Sequence, residues 1–140
     1  MKAAIYLLFL VFALSPLAAQ TSDYALVEET VGYYLDGGTN NDFATLEKAF
    51  HPDATMQYMS GDGFTKVNAL EFFGSRMKAG PKSNRKTRVV HIDVSGHAAT
   101  AKLEIDYPTF TFVDYMTLLK IEGRWQIVSK VFYRRVPQKE

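Results

Sequence analysis

Apolar residues recur at helical spacing through the first half of the chain and at every second position through the last third. Tyr24, Val27, Val31, Tyr34 and Leu35 fall on one face of a helix over 21–36. Thr21, Ser22 or Asp23 can cap its start, and Gly37-Gly38 is the expected stop. A second helix, capped by Asn40, Asn41 or Asp42, puts Phe43, Leu46 and Phe50 together and ends at Pro52. Residues 54–60 read as a short strand and "SGDG" as a turn. A third helix then aligns Val67, Leu70, Phe73 and Met77 before the loop "KAGPKSNRKT". From Arg85 the period is two: Val90, Ile92 and Val94, then Ala99, Ala101, Leu103 and Ile105, alternate with polar residues. Turns at Ser95-Gly96, Pro108-Thr109 and Glu122-Gly123 divide this stretch into four antiparallel strands. The order is that of an α+β domain in which a curved sheet covers helices.

The last hairpin, "FVDYMTLLKIEGRWQIVSKVFY", raises a point of chemistry. A two-residue loop at Glu122-Gly123 sets Ile121 opposite Arg124 and Leu118 opposite Ile127. Uninterrupted alternation then pairs Met116 with Ser129, Asp114 with Val131 and Phe112 with Tyr133. The Pro108-Thr109 turn sets Leu103 on the other side of Asp114. Both registers put the Asp114 carboxyl on the apolar face, where it needs a hydrogen bond or a proton. It is either a structural tie between sheet and helix, or a cavity-lining acid with a raised pKa that donates a hydrogen bond.

The first residues change the compartment expected. Lys2 precedes an apolar run to Leu14, broken by Ser15-Pro16 and followed by Ala18 and Ala19. This is the layout of a secretory signal peptide over 1–19, leaving one domain over 20–140 in the periplasm or outside the cell. Without Lys2 the chain carries 15 basic and 15 acidic residues, a balance that argues against nucleic acid as the main partner. There is no cysteine, so an exported domain must be held by packing alone, which 47% hydrophobic residues allow. Other chemistry is thin. His51, His91 and His97 share no metal-binding spacing, and "GDG" at 61–63 lacks the surroundings of a phosphate loop. The basic loop with Lys78, Lys82, Arg85, Lys86 and Arg88 is best read as solvated. No metal or cofactor is expected.

"YYLDGGTNNDFATLEKAFHPDATMQYM" and "DYMTLLKIEGRWQIVSKVFY" resemble the nuclear transport factor 2-like superfamily, in its SnoaL-like, lumazine-binding branch. The resemblance implies a cone, also termed cystatin-like, in which a bent antiparallel sheet wraps three N-terminal helices around a mostly apolar pocket. It is specific for fold and not for activity. Ketosteroid isomerases of this superfamily use a tyrosine on the first helix, a protonated aspartate on the penultimate strand and a general-base aspartate. By resemblance, Tyr34 and Asp114 occupy the first two places, whereas Tyr58 stands at the third. A missing base removes a factor of about 10²–10⁴ from proton abstraction, which argues against an isomerase.

The reading is therefore an exported domain that binds a small apolar or aromatic molecule, a lumazine by resemblance only. Tyr34, Tyr58, Phe72, Asp114, Met116 and Trp125 are the expected lining. The alternatives are an isomerase, cyclase or dehydratase using Asp114 as acid with Tyr34 as donor, and a non-catalytic dimerisation module. A homodimer is expected through an apolar outer face formed by Val113, Tyr115, Val128 and Phe132, with no membrane contact after signal cleavage.

Overall fold

The computed structural model describes residues 21–137; the expected signal segment lies outside the described residues. Helix α1, Asp23–Asn40, starts where the Ser22 hydroxyl accepts from the Ala25 amide (3.2 Å). It runs through Gly37-Gly38 and stops at Asn41, whose amide donates to Gly37 O and whose left-handed backbone (φ 53°) lets the Asp42 amide donate to the same oxygen (2.8 Å). The two glycines serve close approach instead. A Cβ on Gly37 would lie 2.4 Å from the Leu46 amide nitrogen, and one on Gly38 would lie 2.4 Å from Arg85 Nη2. Helix α2, Phe43–Leu46, is capped by Asp42 and tightens into a 3₁₀ turn, Glu47–Ala49. Phe50, expected on that helix, begins a strand because its backbone pairs with Ile127.

The strands are β1 Phe50–Ser60, β2 Gly63–Asn68, β3 Lys86–Ser95, β4 Ala98–Tyr107, β5 Phe110–Ile121 and β6 Arg124–Arg135. They form one curved, unclosed sheet in the order β2-β1-β6-β5-β4-β3. The four-stranded meander is present, but β1 joins it parallel to β6, so the sheet is mixed. Residues 63–68, read as the end of a turn and the start of the third helix, form β2 in a hairpin with β1. Helix α3 is confined to Ala69–Arg76, with the Asn68 side chain accepting from the Glu71 amide (3.0 Å). Val67 satisfies both periods: it lies opposite buried Met56 as a strand residue and still packs against the core.

Val27, Val31 and Leu35 of α1 and Leu46 of α2 lie against Leu103, Ile105, Met116, Leu118 and Ile127 of the sheet's inner face. Side chains of this size contribute about 1.5–3 kcal/mol each when fully buried. Two bulges break the alternation in the antiparallel part of the sheet. One extra residue, Val90, sits between Val89 (opposite Leu103) and His91 (opposite Lys102), so Val89 turns inward and Val90 is exposed. In β6 the pairing steps from Leu118–Ile127 to Thr117–Ser129, leaving Val128 as the extra residue. Beyond it every β6 side chain is on the face opposite to the one expected, while β5 keeps its own: Met116 faces Lys130, Asp114 faces Phe132 and Phe112 faces Arg134. Lys130 and Phe132 therefore point inward, and Val131 and Tyr133 outward. The expected dimer face loses Phe132, and Val113 and Val128 are largely covered within the chain.

Candidate functional site

The β6 bulge brings an ammonium to the carboxylate. Tyr34 Oη, carried in by α1 on the Val27–Val31 face, donates to Asp114 Oδ2 (2.7 Å). Lys130 Nζ forms an ion pair with Asp114 Oδ1. Asp114 is 0% exposed, Lys130 4% and Tyr34 5%. Asp114 thus accepts a hydrogen bond from the phenol at one oxygen and faces the ammonium as an ion pair at the other.

Their surroundings tune both. Burial, reinforced by the Asp114 charge and the hydrogen bond to it, holds the Tyr34 phenol well above its ordinary pKa. Burial pushes the Lys130 ammonium below the usual lysine value, against the opposing pull of Asp114. Lys130 Nζ also sits 4.6 Å from the Phe132 ring centroid and 5.3 Å from that of Tyr34, within reach of cation–π attraction.

A set of aromatic rings surrounds this triad. Tyr34 meets Phe50 edge-on (5.7 Å) and Phe73 at a tilt (5.9 Å). Phe132 packs on Tyr58 (4.8 Å) and edge-on to Phe112 (5.4 Å), and Tyr58 reaches Phe72 (6.5 Å). Tyr58, Phe72, Phe112 and Phe132 are half-buried, so they form a rim with one side packed and one side wet. Tyr58 and Phe132 also border a surface groove of about 490 Å³ between β1 and β6.

At the C-terminal end of α1, Arg85 fastens the helix to the sheet. Its guanidinium donates to Leu35 O (2.9 Å), Thr39 Oγ1 (2.9 Å) and Tyr107 Oη (3.1 Å). A cation there also matches the negative end of the helix dipole. This is the role found for one member of the basic loop expected to be solvated.

Of the expected lining, the structure brings Tyr34 and Asp114 into contact and sets Tyr58 and Phe72 on the rim. Met116 is buried in the wall opposite Lys130. Trp125 is elsewhere: it lies opposite Lys120, toward the far end of β5, with its indole N–H donating to Asp23 Oδ1 (3.0 Å). Lys120 Nζ donates to the same oxygen (2.7 Å), and this bond first, then the indole's, holds Asp23 below the usual carboxylate range. Trp125 thus anchors the start of α1 and does not join the Asp114 site. Lys130 and Phe132 are the site residues that sequence reasoning missed. Strict alternation assigned both to the outside, and only the bulge at Val128 reverses them.

A curved, unclosed sheet over three helices is the fold of the nuclear transport factor 2-like class. Residues 22–133 match the family described as "Putative lumazine-binding", and the chain belongs to that family. Aldolase FrzH from Cladobotryum sp is 26% identical over 118 residues, covering 81% of this chain and 92% of that protein. Among solved structures, an NTF2-like protein of unknown function from Shewanella baltica OS155 is 29% identical. It superposes with a TM-score of 0.74 over 85% of this chain and all of the other. A ketosteroid isomerase-like protein from Erwinia carotovora atroseptica SCRI1043 shares the fold alone. It has a TM-score of 0.67 and 14% identity, over 84% of this chain and 100% of its own.

Proposed function

We propose that this chain binds a small, flat, largely apolar molecule between the aromatic rim and the Tyr34–Asp114–Lys130 triad. The observation that carries this reading is an ion pair and a phenol buried together beneath half-exposed aromatic rings. Replacing a buried ion pair by well-packed apolar side chains is often neutral or stabilising, by about 1–4 kcal/mol, so the pair is better explained by what it holds than by stability. The rim offers ring faces for stacking, and the triad offers a cation and a phenol to a carbonyl or other acceptor on the ligand. Membership of the lumazine-binding family supports a pteridine-like ligand, in which fused rings carry carbonyl oxygens. Export to the periplasm or beyond, by the layout of the first 19 residues, is part of the same proposal.

A second reading, an enzyme acting on carbonyl compounds, is favoured by Lys130 and is in keeping with the relative named as an aldolase. By resemblance, Tyr58, which packs against Phe132, stands where isomerases of this fold carry a carboxylate base.

Calorimetric titration with lumazine tests the binding reading. Saturable one-to-one binding is expected. Phe132→Ala should weaken it by about 0.5–1.5 kcal/mol, the worth of one aromatic pair beyond simple burial. Absence of saturable binding, or binding indifferent to Phe132→Ala, would contradict it.

A further inference from the structure

We propose that Lys130 is a nucleophilic amine that condenses with an aldehyde or ketone carbonyl to form an imine, with Asp114 as the acid–base partner of that step. The inference deepens the carbonyl reading above and rests on the triad being the floor of a small-molecule site. Three features of the geometry carry it. Lys130 Nζ is enclosed by apolar and aromatic groups, and enclosure of this kind is how lysines are activated toward carbonyls. Its partner Asp114 stands on the adjacent strand, one diagonal step away, and the second carboxylate oxygen is fixed by Tyr34 Oη at 2.7 Å. The amine also lies one side chain from a surface groove: the Phe132 ring that borders the groove has its centroid 4.6 Å from Nζ. Rotation of that ring would open the path for a carbonyl compound.

The step balances within the triad. Lys130 passes one ammonium proton to Asp114, and the neutral nitrogen attacks the carbonyl carbon as the C=O π electrons move to oxygen. That oxygen takes up the second nitrogen proton, giving a neutral carbinolamine. Asp114 then returns its proton to the hydroxyl, which leaves as water while the nitrogen lone pair forms the C=N bond. A positive iminium beside a negative Asp114 replaces a positive ammonium beside the same carboxylate. The site built for one cation therefore holds the other without a change in net charge. Burial that lowers the lysine's affinity for its proton favours the first transfer.

The experiment is reductive trapping. The purified protein is incubated with benzaldehyde and sodium cyanoborohydride at pH 8, and the benzylated lysines are located by peptide mass spectrometry. Lys130 is expected to react severalfold faster than the exposed lysines Lys66 and Lys82, because burial loosens its hold on the proton and leaves more free amine. Excess lumazine should slow only the Lys130 adduct. Lys130→Arg, which keeps a cation beside Asp114, should lose that adduct and keep the surface background. If Lys130→Arg does not fold, the wild-type site map alone decides. Modification of surface lysines with Lys130 untouched would overturn the proposal. A parallel titration with benzaldehyde and no reductant separates the two layers. Saturable binding at the rim without a Lys130 adduct sinks the imine and leaves the binding reading standing. Absence of both sinks the two together.

Discussion

Asp114 and Lys130 are diagonal neighbours on β5 and β6, and their side chains meet where water does not reach. Removing one partner leaves the other charged and buried, at a cost of about 3–5 kcal/mol, whereas removing both leaves an apolar surface. Asp114→Ala and Lys130→Met should each lower the urea midpoint strongly, and the double variant should lose clearly less than the sum of the two. Additive losses would mean that the pair does not interact as the geometry says. Tyr34 gives a prediction in pH. Its phenol ionises at about 10.0 in the unfolded chain and well above that when folded. The folded protein therefore keeps a proton that the unfolded chain releases, and stability falls as pH rises past 10. The advantage of the wild type over Tyr34→Phe should be full at pH 8 and shrink by pH 11. A constant difference in urea midpoint across that range would contradict the burial of the hydroxyl.

At the scale of elements, α1 is positioned by contacts that allow no side chain at Gly37. Gly37→Ala would place its methyl 2.4 Å from the Leu46 amide nitrogen and 2.8 Å from Asp42 O, both main-chain atoms that cannot swing away. A loss of about 1–3 kcal/mol is expected, measured by chemical denaturation, despite the higher helix propensity of alanine. In the sequence those glycines looked like a stop signal, because composition reports permissive backbone and not what approaches it. The helical face of Val27, Val31, Tyr34 and Leu35 was legible, as were the turns at Ser95-Gly96, Pro108-Thr109 and Glu122-Gly123. So was the inward direction of Asp114, since turn geometry and alternation agree as far as Leu118 and Ile127. Beyond that point alternation misled. "QIVSKVFY" fits an unbroken strand with Ser129, Val131 and Tyr133 inside as well as a bulged one with Lys130 and Phe132 inside. Apolar residues stand in both sets, and nothing local marks Val128 as the extra residue. The strand β2 was illegible for a related reason: Val67 suits a helix and a strand equally, and only pairing with β1 decides between them.

Over the whole molecule, the outer sheet face still carries exposed apolar groups, but not the expected ones. Tyr115 and Val131 are opposite one another, Tyr133 follows on β6, and Met59 and Phe64 continue the patch across β1 and β2. Met59, Phe64, Val131 and Tyr133 also line the groove beside Phe132, so this patch forms the outer margin of that groove. On the inner face, the α1 helix, the β6 bulge and the aromatic rim converge on one buried carboxylate. The most direct test follows the side-chain Cε–Hε signal of Lys130 by NMR in lysine-labelled protein titrated with lumazine. A saturable shift at Lys130, with the signals of exposed Lys66 and Lys82 unmoved, is the expected result. A Lys130 signal that stays fixed while lumazine is in excess would contradict it.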